Sequence, residues 1–176
     1  MKKYVLYMLV AGFVLQLAVP GYLIYRENEV VRKGEELKFE IQGYDPYDPF
    51  RGRYIAFRLS LANELRSDKG KFIVFEKEED GFARIIDRKE NEPTDTTLYV
   101  KNMDMKKMNK YFINEHLGPI ADKYLPAERS KPRHVYITVS VYKGRSVLTA
   151  MYVGDEHIND FLLRMKKEED DKKKNR

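Results

Sequence analysis

Cysteine is absent from the 176-residue sequence, which excludes disulfide bonds, thiolate zinc sites and cysteine nucleophiles without assigning a compartment. The sequence has only three histidines, His116, His134 and His157, and none has a partner at the i, i+3 or i+4 spacing of metal ligands. The serines lie in no nucleophile elbow, and the glycines form no phosphate loop. The sequence therefore predicts no catalytic residues, no metal site and no cofactor, although distant residues can still converge in a fold.

The sequence also lacks a sustained block of basic charge in its central part. The formal net charge is +5, of which Lys2 and Lys3 contribute +2. Residues 165–176 carry six basic and four acidic side chains, another +2, so residues 26–164 are left at +1. Because the charges of that body are mixed in sign, we do not expect nucleic-acid binding.

One long apolar run is present, at residues 4–25, and it contains no charged side chain. As a helix its 22 residues would span about 33 Å, enough for the hydrocarbon core of a bilayer. The run is longer than the apolar part of a signal peptide, about 7–15 residues, and no A-x-A-like cleavage site follows it. We therefore predict a retained transmembrane anchor at residues 1–25; the alternatives are a cleaved signal and a buried soluble helix.

The orientation of this anchor is less clearly marked. Two Lys or Arg residues precede the run and four lie within about 15 residues after it, so the positive-inside rule does not favour an internal N-terminus. Long domains, however, translocate largely regardless of charge. We predict a single-pass protein of the inner (cytoplasmic) membrane with an extracytoplasmic, periplasmic domain.

Residues 26–165 are expected to form one globular domain, and residues 166–176 a disordered charged tail. Apolar and polar residues alternate in short runs such as residues 36–42 and 135–141, and Lys143-Gly144 predicts a hairpin turn. Residues 105–125 have helical spacing that Gly118-Pro119 interrupts. The prediction is an α+β fold: a transmembrane helix followed by a mostly antiparallel β-rich domain, a curled sheet or small open barrel, with a central helical segment.

The most distinctive segment of this body is residues 43–52, GYDPYDPFRG. Each proline fixes φ near −65° and each aspartate before it is pushed to extended geometry, which favours a stiff, ordered loop. Such a loop could present carboxylate and guanidinium groups to a peptide, a lipid headgroup or an ion; alternatively, its charges pair with one another and only shape a strand crossover. The candidate binding residues are Asp45, Asp48, Arg51, Arg53 and Tyr54.

Residues 45–61 resemble a family of membrane-anchored bacterial proteins of unknown function, named for the signature G-D-Y-x-x-L-x-x-x-Y, which often follows D-P-x-D-x-x-R-G. The matching residues are Asp45, Pro46, Asp48, Pro49, Arg51, Gly52 and Tyr54. This sequence departs from the signature at three positions, where it has Arg53, Phe57 and Leu61. Residues 110–118 and 152–156 are similar to later blocks of the family. The resemblance implies an anchored domain of the same architecture and supplies no activity.

These observations leave three functional hypotheses. The leading one is a non-enzymatic extracytoplasmic binding or accessory module that has the membrane, and another membrane protein, as partners; its small-molecule ligand, if any, is not indicated. The second is a membrane-tethered hydrolase with a site near Asp45, Asp48 and Arg51. The third is a membrane-surface protein that places the lysines of residues 166–174 on anionic lipid.

Overall fold

The computed structural model describes residues 2–43, 54–65, 70–96 and 98–174. The helices in these residues are α1 (Lys2–Lys33), α2 (Ala62–Leu65), α3 (Asn102–Lys107), α4 (Gly118–Arg129) and α5 (Ile158–Lys174), with a 3₁₀ turn at Glu115–Leu117. The strands are β1 (Glu35–Gly43), β2 (Tyr54–Leu59), β3 (Phe72–Lys77), β4 (Ala83–Lys89), β5 (Tyr99–Lys101), β6 (Lys110–Phe112), β7 (Val135–Tyr142), β8 (Arg145–Val153) and β9 (Glu156–His157).

The strands form two antiparallel sheets, the larger of them curled. The larger has the order β6-β2-β1-β7-β8-β9 and the smaller β4-β3-β5. Single bridges connect them, from Lys38 to Phe82 on one side and from Val100 to Gly144 on the other. Together with the helices, this arrangement confirms the predicted α+β class and the curled, mostly antiparallel sheet.

The core lies on the concave face of the large sheet because apolar residues alternate along its central strands. Leu37, Phe39 and Ile41 of β1 are each at most 2% exposed, and the inward residues of β7 lie opposite them in register. Successive side chains of a strand point to opposite faces, so the residues between them are directed outward. β3 closes the core by placing Phe75 edge-on against Phe39, with ring centroids 5.4 Å apart.

The turn between β7 and β8 is the predicted one. Lys143 and Gly144 have φ of 44° and 76°, and a two-residue turn with positive φ at both positions matches the twist of the flanking strands. β3 and β4 form a second hairpin, with Gly81 at φ 86° in its turn.

Helix α1 continues beyond the apolar run and is fixed to the sheet by its last turns. Val30 is 1% exposed, and its carbonyl oxygen accepts hydrogen bonds from Ser140 Oγ and from Gly34 N, both at 2.8 Å. Arg145 on β8 donates to the Arg26 carbonyl at 3.3 Å and pairs with Glu29 at 3.0 Å. The helix is long and apolar enough to cross a membrane, and its most apolar window has no buried residue.

The central helical segment differs in detail from the prediction for residues 105–125. α3 ends at Lys107, and β6 then adds to the edge of the sheet by pairing with β2. Gly118-Pro119 begins α4 rather than dividing a helix pair. A proline is tolerated in the first turn, where its missing N–H has no intrahelical acceptor.

The charged tail, predicted as disordered, is helical as far as Lys174 because it continues α5. Ion pairs at i, i+4 spacing join Arg164 to Glu168 and Glu169 to Lys173, a pattern that supports isolated helices. Glu169 also pairs with Lys123 of α4 at 3.2 Å. The blocky charge that suggested disorder therefore supplies contacts along one helix. The domain limits at residues 25 and 165 stay predictions; α1 and α5 each run continuously across one of them.

Candidate functional site

The predicted binding loop falls mostly outside the part of the chain that the structure describes. The residues concerned are Asp45, Asp48, Arg51 and Arg53, so their grouping into a site stays a prediction. Tyr54, the fifth candidate, is the first residue of β2. It lies at the end of the sheet where β1 reaches Gly43.

Tyr54 is part of a small aromatic and cationic group on the β2–β6 edge. Its ring packs edge-on against Phe112, with centroids 6.1 Å apart, and Lys110 Nζ lies 4.5 Å from its ring centroid. Phe112 is 68% exposed. The group is thus an open surface, not an enclosed pocket.

A second group, a row of rings, crosses the outer face of β7, β8 and β9. Tyr136 stacks on Tyr152 with centroids 5.4 Å apart and an interplanar angle of 17°. His157 follows edge-on to Tyr152 at 5.7 Å, and Phe82 packs edge-on to Tyr136 at 5.5 Å. The three sheet residues are directly opposite one another in register, so their side chains share one face.

His157 connects this row to the opposite edge of the sheet. Its Nδ1 accepts the Asn159 backbone N–H at 3.3 Å, so in the neutral ring Nε2 carries the proton and donates to Tyr111 Oη, also at 3.3 Å. Tyr111 lies on β6 and His157 on β9, the two outermost strands. Burial raises the pKa of Tyr111, which keeps its phenol protonated at neutral pH and argues for a structural contact rather than a catalytic base.

The third group lines a cleft of about 600 Å³, which we call the distal cleft. Its residues come from the end of α4, the start of β7, the β8–β9 turn and α5: Glu128, His134, Val153, Gly154, Asp155, Glu156, Phe161, Arg164 and Met165.

Ion pairs hold two of the three carboxylates of the distal cleft, those of Glu128 and Glu156. Glu128 Oε2 lies 2.7 Å from Lys131 Nζ and 2.8 Å from His134 Nε2, and Glu156 Oε2 lies 2.7 Å from Arg164 Nη2. The Lys131 hydrogen bond, with smaller effects from the charges of Lys131 and His134, lowers the pKa of Glu128, and Arg164 lowers the pKa of Glu156. Both carboxylates are therefore ionised and paired near pH 7, unlike a general base poised to take a proton.

The lining of the cleft is mostly polar and charged. Among the described residues that line it there is no Ser, Thr, Tyr or Lys, so the side chains there that can act as nucleophiles are the carboxylates and His134. Phe161 and Met165 supply apolar surface between charges of both signs, a combination that can hold a polar peptide segment. In the described part of the chain, no three His, Asp or Glu side chains are grouped to hold a metal ion.

The backbone fixes the shape of the cleft at Gly154. Its φ is 61°, and an added Cβ would lie 3.0 Å from His134 Cε1. Glycine is the residue that adopts this conformation without strain. The β8–β9 turn can therefore pass directly against the imidazole, which in turn is held by Glu128.

The cleft and the end of α1 lie at opposite ends of β7. His134 precedes the strand, whereas α1 packs at Ser140, beside Val141. Val135 and Val141 are six residues apart, which corresponds to about 20 Å at the rise of a strand. The cleft therefore faces away from the apolar helix.

The sequence offered little to identify these contacts. His134 and His157 stand in the sequence as isolated histidines, and Tyr111 and His157 are separated by 46 positions. Only the closure of the curled sheet brings them together. The pairing of Glu128 with His134 depends on where α4 ends, which the residue pattern does not mark.

Comparison with known proteins identifies the family of this chain. A family model described as GDYXXLXY protein matches residues 16–151, from the middle of α1 through most of β8. No curated protein and no solved structure matches the chain. The match includes the segments at residues 45–61 and 110–118 that resemble the family signature. Since it covers well over half of the sequence, the chain belongs to the GDYXXLXY protein family.

Proposed function

We propose that this chain is a membrane-anchored binding or accessory module that acts with another membrane protein. α1 crosses the inner (cytoplasmic) membrane once, with the N-terminus in the cytoplasm and the β-rich domain on the extracytoplasmic side. The distal cleft receives the partner. The observation that carries the proposal is α1 itself, an apolar helix that is exposed along its first part and fixed to the sheet at its end.

The exposed part of α1 is apolar and is more stable in a lipid or protein environment than in water. Leu9, Phe13 and Leu15 are each more than 60% exposed, and the same holds for much of the uncharged run. Apolar surface costs about 25 cal/mol per Å² in water, and contiguous patches of this size mark membrane or protein contacts. A helix of 22 uncharged residues meets the length requirement of a bilayer.

The contacts at the end of α1 support a defined orientation of the domain relative to this helix. The hydrogen bond from Ser140 Oγ to the Val30 carbonyl, together with the Arg145 contacts, fixes the last turns of the helix to β7 and β8. A domain fixed in this way presents the distal cleft on the side away from the bilayer. The matching occupant is the extramembrane part of a protein in the same membrane.

The hydrolase alternative depends on Asp45, Asp48 and Arg51. These residues lie outside the described part of the chain, so it stays a prediction. Its test is the Asp48→Ala, Arg51→Ala variant: loss of an activity in a protein of unchanged stability would favour it over the binding module.

Anchoring and sidedness are tested together on the full chain. Alkaline carbonate should leave the protein in the membrane fraction. The absence of cysteine allows single reporters at Glu115→Cys, an exposed position, and at Lys3→Cys. An impermeant maleimide should label the first in intact cells and the second only after lysis. The reverse pattern would overturn the sidedness, and release by carbonate would overturn the anchor.

The partner is sought with a photoreactive amino acid placed in the cleft. Asp155, exposed in the β8–β9 turn, is the test position, and Asn91, exposed after β4, is the matched control. A membrane-protein adduct from position 155 and none from position 91 is expected. Arg164→Ala should weaken that adduct by removing a charge from the cleft wall. Equal adducts from both positions, or none from either, would count against a partner in the cleft.

A further inference from the structure

The end of the domain next to α1 carries a surface that the binding-module proposal does not use. Four exposed residues define it, and we call it the proximal face: Lys71, Lys101, Met103 and Lys143. We propose that this proximal face rests on the headgroups of anionic lipids. The proposal rests on the membrane anchoring proposed above and deepens it.

The position of the β7–β8 turn follows from its contact with α1. Arg145, directly after the turn, donates to the carbonyl of Arg26, and Arg26 is the first charged residue after the uncharged run. If that run fills the hydrocarbon core, Arg26 and Arg145 lie at its boundary. Lys143 in the turn is then at headgroup depth.

Backbone pairing places the other residues of the face beside this turn. Lys101 N donates to the Gly144 carbonyl and Gly144 N donates to the Tyr99 carbonyl, both at 3.1 Å. The register puts Phe72 opposite Lys101, and Lys71 accepts from Asn102 N at 2.9 Å. The start of α3 is therefore held next to the turn as well.

A tight ring contact makes this arrangement stiff. The ring of Phe72 packs edge-on against Tyr99, with centroids 5.8 Å apart. A Cβ added at Gly144 would lie 3.0 Å from Tyr99 Cε2, so the turn sits directly on that ring. The backbone that carries Lys71, Lys101 and Lys143 is therefore held by hydrogen bonds and by the packed rings of Phe72 and Tyr99.

The chemistry of the face suits an anionic bilayer. A groove of about 420 Å³ opens here, lined by Lys71, Lys101 and a further lysine, Lys106, against a single acid, Asp104, together with Phe72 and Met103. Met103 is 67% exposed. Basic side chains near an anionic surface attract phosphate groups, while an exposed methionine can enter the boundary between headgroups and acyl chains.

The test uses the full chain, reconstituted in vesicles of phosphatidylcholine with or without phosphatidylglycerol. An environment-sensitive fluorophore is placed at Met103→Cys, and lipids with a nitroxide near the headgroup serve as quenchers. The matched control is Phe112→Cys, which is equally exposed but lies on β6, next to Tyr54. We expect quenching severalfold stronger at position 103 than at 112, and stronger with phosphatidylglycerol than without it.

Replacing the three lysines of the proximal face tests the role of anionic lipid separately from the position of the face and from the anchor. In the Lys71→Gln, Lys101→Gln, Lys143→Gln variant, the extra quenching caused by phosphatidylglycerol should disappear. An unchanged thermal midpoint of this variant would show that the fold is intact. Equal quenching at positions 103 and 112 in a carbonate-resistant protein would overturn the proximal face while leaving the anchor standing. Quenching at position 103 that is independent of phosphatidylglycerol would overturn the role of anionic lipid, and release by carbonate would overturn the anchor itself.

Discussion

Replacing Gly34 by alanine should detach the end of α1 from the sheet. Gly34 lies between α1 and β1, where the chain passes close to β7. An added Cβ would lie 2.9 Å from the Val141 carbonyl oxygen, and closer still to Ser140 Oγ and to the Val30 carbonyl oxygen. Two of these three atoms belong to the backbone, so a side-chain rotation cannot relieve the overlap.

The expected decrease in the free energy of unfolding of Gly34→Ala has two contributions. Forcing an extra methyl group into a packed site costs about 1–3 kcal/mol. Displacing the helix end also removes the bond from Ser140 Oγ to the Val30 carbonyl, worth about 1 kcal/mol in a buried setting. We expect Gly34→Ala to lower the free energy of unfolding by about 2–4 kcal/mol, a large part of the 5–15 kcal/mol typical of a domain.

The assay is denaturant unfolding of the full chain in detergent micelles. The chain has 13 tyrosines and no tryptophan, so tyrosine fluorescence reports the domain. Gly21→Ala is the matched control because nothing lies within 4 Å of an added Cβ there, and alanine is the better helix former. If Gly34→Ala unfolds at the same denaturant concentration as Gly21→Ala, the close packing inferred at this junction is wrong.

Three further changes test contacts elsewhere in the domain. The pKa of Glu128 is lowered chiefly by the hydrogen bond from Lys131. The stability that ionised Glu128 contributes is therefore present above the ordinary pKa of 4.5 and is lost as pH falls through the folded-state pKa. Glu128→Gln should lower the unfolding midpoint at pH 7 and should match the parent protein in acid. Burial, followed by the hydrogen bond to Glu92, raises the pKa of Tyr99 to about 12. The stability that Tyr99 contributes is therefore present below its ordinary pKa of 10.0 and lost as pH rises towards 12, and ultraviolet titration of Tyr99→Phe should lack a phenol ionising there. Arg145→Ala should speed hydrogen exchange in the last two turns of α1, and unchanged exchange would show that Arg145 does not hold the helix.

The elements that could be predicted from sequence are those whose pattern is local. Alternation in residues 36–42 and 135–141 marks β1 and β7 because one face of each strand is buried. Lys143-Gly144 marks a hairpin because the turn requires positive φ at both positions. Residues 4–25 mark a long apolar helix through length and lack of charge alone.

β6 shows why other elements were missed. Lys110, Tyr111 and Phe112 are too few to display a period of two, and the helical spacing around them extends across the strand. Their state is decided by pairing with β2, a contact between distant parts of the chain. Tertiary pairing of this kind overrides local propensity.

The candidate sites were harder to predict than the fold for a related reason. The Asp-Pro loop is the site that the sequence predicts because its charged residues are adjacent, and Asp45, Asp48, Arg51 and Arg53 lie outside the described residues. The distal cleft joins Glu128 to His134, and Arg164 to Glu156, through the end of α4 and the start of α5. Which side chains meet there depends on where α4 ends, where α5 begins and how the turn at Gly154 is shaped, and the composition of the chain determines none of these.

The contacts that hold α1 to the sheet and the proposed binding cleft come from different parts of this chain. The residues that fix α1 to the sheet, Val30, Gly34, Ser140 and Arg145, all lie within the family match at residues 16–151. One wall of the distal cleft is α5, which begins after that match and makes none of the contacts described here between α1 and the sheet. If the distal cleft receives a partner as proposed, substitutions on the cleft side of α5 should change what it binds while leaving the orientation of the domain on its helix intact. Loss of the cleft adduct at position 155 together with an unchanged fold at the end of α1 is the result expected of such a variant.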